Sequence, residues 1–191
     1  MVFAQSALEM HRHGLSVLPI GRDRQPLVSG FNRWRGRPSE KTLGSWIERH
    51  PSSNIAVHPG LSGVIIVDVD DVSHDADVQK LVGDTPLKVR TRRGLHRYYA
   101  ATGGRLLGKL DTLGLRADIK AGNAIVIAPP SVHESGHIYA RFEKARDLLL
   151  DAGLVVKVAP FRQNGKGRKA AQYILTEFTA EKSATALGGG R

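Results

Sequence analysis

Apolar residues recur along the chain with two periods. Ala7, Leu8 and Met10 fall at helical spacing and predict a helix over 4–13 ended by Gly14. Leu43, Trp46 and Ile47 share one face of a second helix, opened by Pro38-Ser39-Glu40 and stopped by Pro51. Short β-branched or alternating runs at 15–20, 55–57, 64–69, 87–91, 95–100, 115–120, 124–128 and 138–142 read as strands. Pro59, Gly60 and Gly63 separate the second run from the third. Arg92-Arg93-Gly94 joins 87–91 to 95–100 as a hairpin with a basic tip, and Ala121-Gly122-Asn123 joins 115–120 to 124–128 as another strand pair. Shorter helices are predicted at 78–82 and 145–152. Hairpins among irregularly alternating elements point to an α+β fold rather than a doubly wound parallel sheet.

The composition changes from Gln163 to Lys169 to Asn, Gly, Lys and Arg, which reads as a linker. A helical pattern over 170–182 follows it, so the expected division is a core at 1–155, a basic linker at 156–169 and a helical segment with its tail at 170–191. No internal repeat is evident. A length of 191 residues suits one domain of ordinary size or two small lobes sharing a cleft. With 41% hydrophobic and 24% charged residues the composition is that of a soluble globular protein. No apolar run approaches the ~18 residues of a membrane span. MVFAQSALEMHRHG lacks the basic start and long apolar stretch of a secretory signal, so a cytoplasmic protein is expected. The absence of cysteine excludes disulfides, thiol catalysis, iron–sulfur clusters and the common structural zinc sites.

Net charge is +10, from 28 Lys+Arg against 18 Asp+Glu. That suggests a polyanionic partner, although solubility alone would also account for it. Its distribution is more informative. Residues 61–87 hold 1 basic and 6 acidic side chains, whereas residues 88–120 hold 9 and 2. An acidic segment followed directly by a basic one suits a site for metal and phosphate, and equally suits two unrelated solvated surfaces.

Three stretches within these segments carry candidate chemistry. Val64-Ile65-Ile66-Val67-Asp68-Val69-Asp70 is a buried-looking strand that ends in two carboxylates. Residues i and i+2 of a strand share a face, with Cα atoms roughly 6.6 Å apart, a placement able to embrace a metal pair about 3.5 to 4 Å apart; a strand running into a polar loop would look the same. Asp71 points the other way, and Asp75 and Asp77 read as a solvated loop or helix start. In the second stretch, Arg92 and Arg93 at the hairpin tip, with Gly94 allowing close backbone approach and His96 on the same side as Tyr98, suit phosphate binding or an exposed basic hairpin. In the third, Asp118 and Lys120 share a strand face, as a metal-binding acid beside a phosphate-binding base or as a surface salt bridge.

His133-Glu134-Ser135-Gly136-His137 matches the HExxH string of zinc proteases, but that chemistry requires a helix, and here the string follows Pro129-Pro130 and contains Gly136. Gly165-Lys166-Gly167 is not a P-loop. His11 and His13, two apart on a helix, point in different directions. Trp34, in a basic loop, is a candidate for stacking on template bases, whereas Trp46 reads as core.

Taken in order, LSVLPI, SNIAVHPG, GVIIVDVD, VRTRRGLHRYY and RADIKAGNAIVIAPPSVHESGHIY resemble the bifunctional DNA primase/polymerase (prim-pol) family of the archaeo-eukaryotic primase superfamily. The resemblance covers about residues 4–143. It implies a core of two α/β lobes, one like an RNA-recognition fold, with a cleft in which Asp68, Asp70 and Asp118 hold two divalent ions, Mg²⁺ or Mn²⁺. It further implies that His96 contacts the incoming triphosphate, with Arg92, Arg93 and Lys120 as further phosphate contacts and Ser131 and His133 lining the nucleotide pocket. The activity implied is template-directed primer synthesis and extension from NTPs or dNTPs on single-stranded DNA. Members usually have more glycine at the hairpin tip than Arg92-Arg93-Gly94, and a zinc insertion found in some plasmid members cannot be built without cysteine. Many members continue into a helicase, so a helicase domain or protein is an expected partner and the chain is expected to be the front part of a phage or plasmid replication protein. A metal-dependent nuclease and a non-catalytic DNA-binding module of a replication initiator are the competing readings of the same residues.

Overall fold

The computed structural model describes residues 1–101 and 108–141. The helix expected at 145–152, the linker at 156–169 and the segment at 170–191 lie outside the described residues. In chain order the elements are helix α1 (Val2–Arg12), strand β1 (Val17–Ile20), helix α2 (Glu40–Arg49), strand β2 (Asn54–Val57), the single-turn helix α3 (Pro59–Ser62), strand β3 (Val64–Val69), helix α4 (Asp75–Val82), and strands β4 (Lys88–Arg90), β5 (Leu95–Ala100), β6 (Ala117–Lys120), β7 (Val126–Ala128) and β8 (Ala140–Arg141). The fold is α+β, as the pattern predicts.

Local chemistry accounts for the helix boundaries. Gly14, at φ 89°, follows α1 in the left-handed conformation that glycine adopts most readily. Ser39 caps α2, its hydroxyl accepting the Thr42 N–H at 3.1 Å, a contact worth about 1 kcal/mol. Helix α1 packs against α2, β1 and β2.

The strands form two antiparallel sheets, one ordered β1-β2-β7 and the other β6-β3-β5-β4-β8. The expected hairpin of β4 and β5 is present. The expected pairing of 115–120 with 124–128 is not, because β6 pairs with β3 and β7 with β2. The Ala121-Gly122-Asn123 link crosses between sheets instead of turning back. Gly60 of α3 donates its N–H to the Gly122 carbonyl at 3.0 Å, and a Cβ on Gly60 would stand 2.5 Å from that oxygen. The two glycines thus let α3 dock on the link.

Both faces of β3 are covered, which explains its unbroken apolar run. Ile66 joins a main core with Phe3, Leu18, Leu43, Ile55 and Tyr98; Val67 and Val69 join a smaller cluster with Val78 of α4, Leu95 and Ala117. The main core draws on both sheets, and the described residues do not support the two α/β lobes that the resemblance implies. No helix among the described residues is long and apolar enough to cross a membrane.

Candidate active site

The register of the larger sheet brings the three motifs together. Asp68 on the central strand β3 stands opposite His96 of β5 on one side and Asp118 of β6 on the other. Directly paired residues share a face, with Cβ atoms about 4.5–5.5 Å apart, so Asp118, Asp68 and His96 form one cross-strand row. Asp70 follows just beyond the end of β3 and is exposed; its backbone N–H donates to the Arg116 carbonyl at 2.9 Å. Asp71 turns away to cap a short 3₁₀ helix (Val72–His74), accepting from the Ser73 N–H at 3.0 Å and hydroxyl at 2.8 Å.

Each acid of the row has a basic neighbour. His96 Nε2 lies 3.4 Å from Asp68 Oδ1, and Lys120 Nζ lies 2.6 Å from Asp118 Oδ2. Burial pushes the Asp68 pKa up, but the His96 hydrogen bond and the charges of His96 and Lys120 outweigh it, leaving the carboxyl below its usual range. Asp70 is shifted upward, first by burial and then by the negative charges of Asp68 and Asp118. The three carboxylates therefore lie close enough to repel one another. Among the described residues no group of three His, Asp or Glu side chains already stands positioned to hold a metal ion.

The basic hairpin closes beside Asp70. Thr91 and Gly94 exchange two hydrogen bonds of 3.0 Å, and the Arg93 carbonyl accepts the Val72 N–H at 3.0 Å. A Cβ on Gly94 would overlap the Val69 carbonyl oxygen, so glycine here lets the turn pack onto the end of β3, a reason different from the expected approach to a ligand. Arg92 and Arg93 remain exposed. Tyr139 forms a further wall that the sequence reading did not single out, its ring 6.0 Å from that of His96. Burial raises its pKa, Asp68 adds to the rise, and the charges of Arg24 and Arg92 oppose it.

Ser131, His133 and Trp34 each make contacts outside the row. Ser131 is fully buried, its hydroxyl accepting the Ile55 N–H at 2.9 Å and donating to the Ile55 carbonyl at 3.0 Å. Those bonds tie the loop after β7 to β2. Half-buried His133 lies in a tight turn, with its Nδ1 2.8 Å from the Ser135 hydroxyl and its backbone N–H bonded to the His137 carbonyl at 2.8 Å. The HExxH string is therefore not on a helix. Trp34 stacks on Trp46 with centroids 5.5 Å apart and lies 6.4 Å from the His58 ring, while Trp46 belongs to the core as expected.

Arg97 is the largest omission from the sequence reading. It alternates with His96 and Tyr98, and so points to the opposite face of β5, where it is completely buried. Its Nε and Nη2 donate to the two Asp75 oxygens at 2.7 and 2.9 Å, Nη1 to Asp84 at 2.9 Å and Nη2 to Gln79 at 2.7 Å. Asp75 does start α4, yet it is this clamp's main anion and not a solvated residue; Asp77 is exposed and pairs with Lys80.

The larger antiparallel sheet thus aligns two acids and a histidine beside a basic hairpin. The chain belongs to the Prim-Pol family, the bifunctional DNA primase/polymerase N-terminal domain, whose model matches residues 7–154. Membership places it, in general terms, in DNA replication of the primase and polymerase type. A search of curated proteins gave no match.

Proposed function

We propose that the chain is the catalytic core of a template-directed nucleotidyltransferase that makes primers on single-stranded DNA and extends them. The observation that carries this reading is the cross-strand row Asp118, Asp68, His96, with Asp70 just beyond the end of β3 and the Arg92-Arg93 turn beside it. In the reaction, the 3′-oxygen of the growing strand, or of the first nucleotide, bonds to the α-phosphorus of an NTP or dNTP. The α–β bridging P–O bond breaks, pyrophosphate departs, and the hydroxyl proton passes to solvent.

Asp68, Asp70 and Asp118 are the residues to hold two divalent ions. Their all-oxygen donor set suits hard cations such as Mg²⁺ or Mn²⁺, and added positive charge would relieve the repulsion that raises the Asp70 pKa. Bound ions would supply Lewis-acid stabilisation of charge on the reacting and departing oxygens. Lys120, paired with Asp118, would turn its ammonium group toward a phosphate oxygen. His96 Nε2 donates to the triphosphate, and Arg92 and Arg93 neutralise its outer phosphates. The row of Asp118, Asp68 and His96, with Asp70 two residues along the chain from Asp68, supports these roles; Ser131 and His133 are the candidates for the pocket edge.

The test supplies a labelled primer on a single-stranded template with NTPs or dNTPs and Mg²⁺ or Mn²⁺. Template-dictated extension that is lost in Asp68→Ala/Asp70→Ala supports the reading. Absence of product, extension by the double variant, or shortening of the strand without nucleotides, as a nuclease would cause, contradicts it.

A further inference from the structure

We propose that Lys109 and Arg116 form a second phosphate-binding flank, on the β6 side of the carboxylates, that takes a backbone phosphate of the DNA strand being extended. The proposal rests on the polymerase reading above. Residues 108–110 run antiparallel to β6: the Leu110 N–H donates to the Ala117 carbonyl at 3.0 Å and the Ile119 N–H to the Gly108 carbonyl at 2.9 Å. Lys109 therefore stands directly opposite Asp118. The row across the sheet then reads Lys109, Asp118, Asp68, His96, with an exposed cation beyond the outer acid.

Arg116 immediately precedes β6, and its carbonyl receives the Asp70 N–H. Both cations are exposed, and among the described residues neither makes an ion pair within 4.0 Å, while the charge of Arg116 acts at longer range on Asp70 and Asp71. Asp118 Oδ2 is bonded to Lys120 and not to Lys109. Lys109, Arg116, Asp70, Asp111 and Asp118 border a cavity of about 390 Å³, directly against two of the three candidate metal ligands.

The cavity carries three carboxylates and two cations, so metal ions held by Asp70 and Asp118 would leave Lys109 and Arg116 free to meet a phosphodiester. Nucleotidyl transfer joins two phosphate-bearing reactants, and an in-line displacement sets the attacking and leaving oxygens on opposite sides of the reacting phosphorus. The Arg92-Arg93 turn lies on the β5 side of β3, whereas Lys109 and Arg116 lie on the β6 side. With the triphosphate on the hairpin, the cavity is left to the strand that carries the attacking 3′-oxygen.

The test uses the full chain with Lys109→Ala, Arg116→Ala and the charge-keeping Lys109→Arg. Anisotropy of a labelled primer–template without nucleotide reads DNA affinity, and extension kinetics read the two KM values separately. Each alanine should weaken DNA binding and raise the primer–template KM roughly tenfold, the loss of one charge-assisted contact, while the nucleotide KM stays within about twofold. The slope of log K against log salt should shrink by about 0.7 to 0.9 per cation removed, and Lys109→Arg should restore binding. Unchanged DNA affinity and salt slope, or a rise in nucleotide KM in their place, overturns the flank. A wild-type chain that binds DNA but forms no product overturns the polymerase reading, and the anisotropy result still decides the flank.

Discussion

Replacing Asp75 with alanine should lower the melting temperature by about 6 to 12 °C. Arg97 is 0% exposed, and Asp75 takes two of the four hydrogen bonds its guanidinium makes. Removing one partner of a buried pair costs about 3 to 5 kcal/mol. Asp84, whose side chain is 58% exposed, and Gln79 remain to share the charge, which favours the lower end. At about 2 to 4 °C per kcal/mol for a domain of this size, 3 kcal/mol gives the stated shift. Thermal unfolding followed by circular dichroism measures it, with Asp77→Ala, an exposed partner of Lys80, moving by no more than about 1 °C. Adding Arg97→Met to Asp75→Ala should recover part of the loss, because the unpaired buried charge is then gone. If Asp75→Ala melts within about 1 °C of the wild type, Arg97 is not held as described.

Gly94→Ala should destabilise by about 1 to 3 kcal/mol and raise the nucleotide KM, because its Cβ would meet the Val69 carbonyl and lift the basic turn; unchanged melting and KM would refute that packing. Ser131→Ala should cost about 1 to 3 kcal/mol by stranding the buried Ile55 N–H; unchanged stability would show that these bonds do not hold the loop, and a nucleotide KM that changes beyond about twofold would mark Ser131 as a residue of the nucleotide pocket. Burial lowers the His58 pKa below 6.5, so below pH 6.5 the unfolded chain binds a proton that the folded protein resists. This contribution to stability is therefore full above pH 6.5 and is lost as pH falls below it. His58→Asn keeps an acceptor for the Leu61 N–H and should flatten the fall in melting temperature between pH 7.5 and pH 5.5; an unaltered slope contradicts this.

Local patterns were readable where local chemistry decides them. Ser39 before Glu40, the β-branched run into Asp68 and the Arg92-Arg93-Gly94 turn each specify their element over a few residues. Pairing partners were not readable in the same way. Periodicity gives 117–120 and 126–128 as strands, but nothing in either run tells that Gly60 packs on Gly122 and sends the two into different sheets. The order of Asp68, Asp70, His96 and Asp118 pointed to one site, while the register that aligns them is a tertiary fact. Arg97, Tyr139 and Lys109 went unnoticed because each acts through a distant segment: Asp75 on α4, Asp68 on β3 and Asp118 on β6. Alternation along His96-Arg97-Tyr98 was the available signal that Arg97 faces away from the site.

The most direct test of the central claim is the single-turnover rate of templated nucleotide addition by Asp68→Asn, a change that keeps size and removes the charge at the centre of the row. A fall of about a hundredfold to a thousandfold or more is predicted, with the melting temperature within about 2 °C of wild type. A well-folded Asp68→Asn protein that adds nucleotides within about threefold of the wild-type rate, a difference of less than 1 kcal/mol in the barrier, would show that the row of acids is not the catalytic centre.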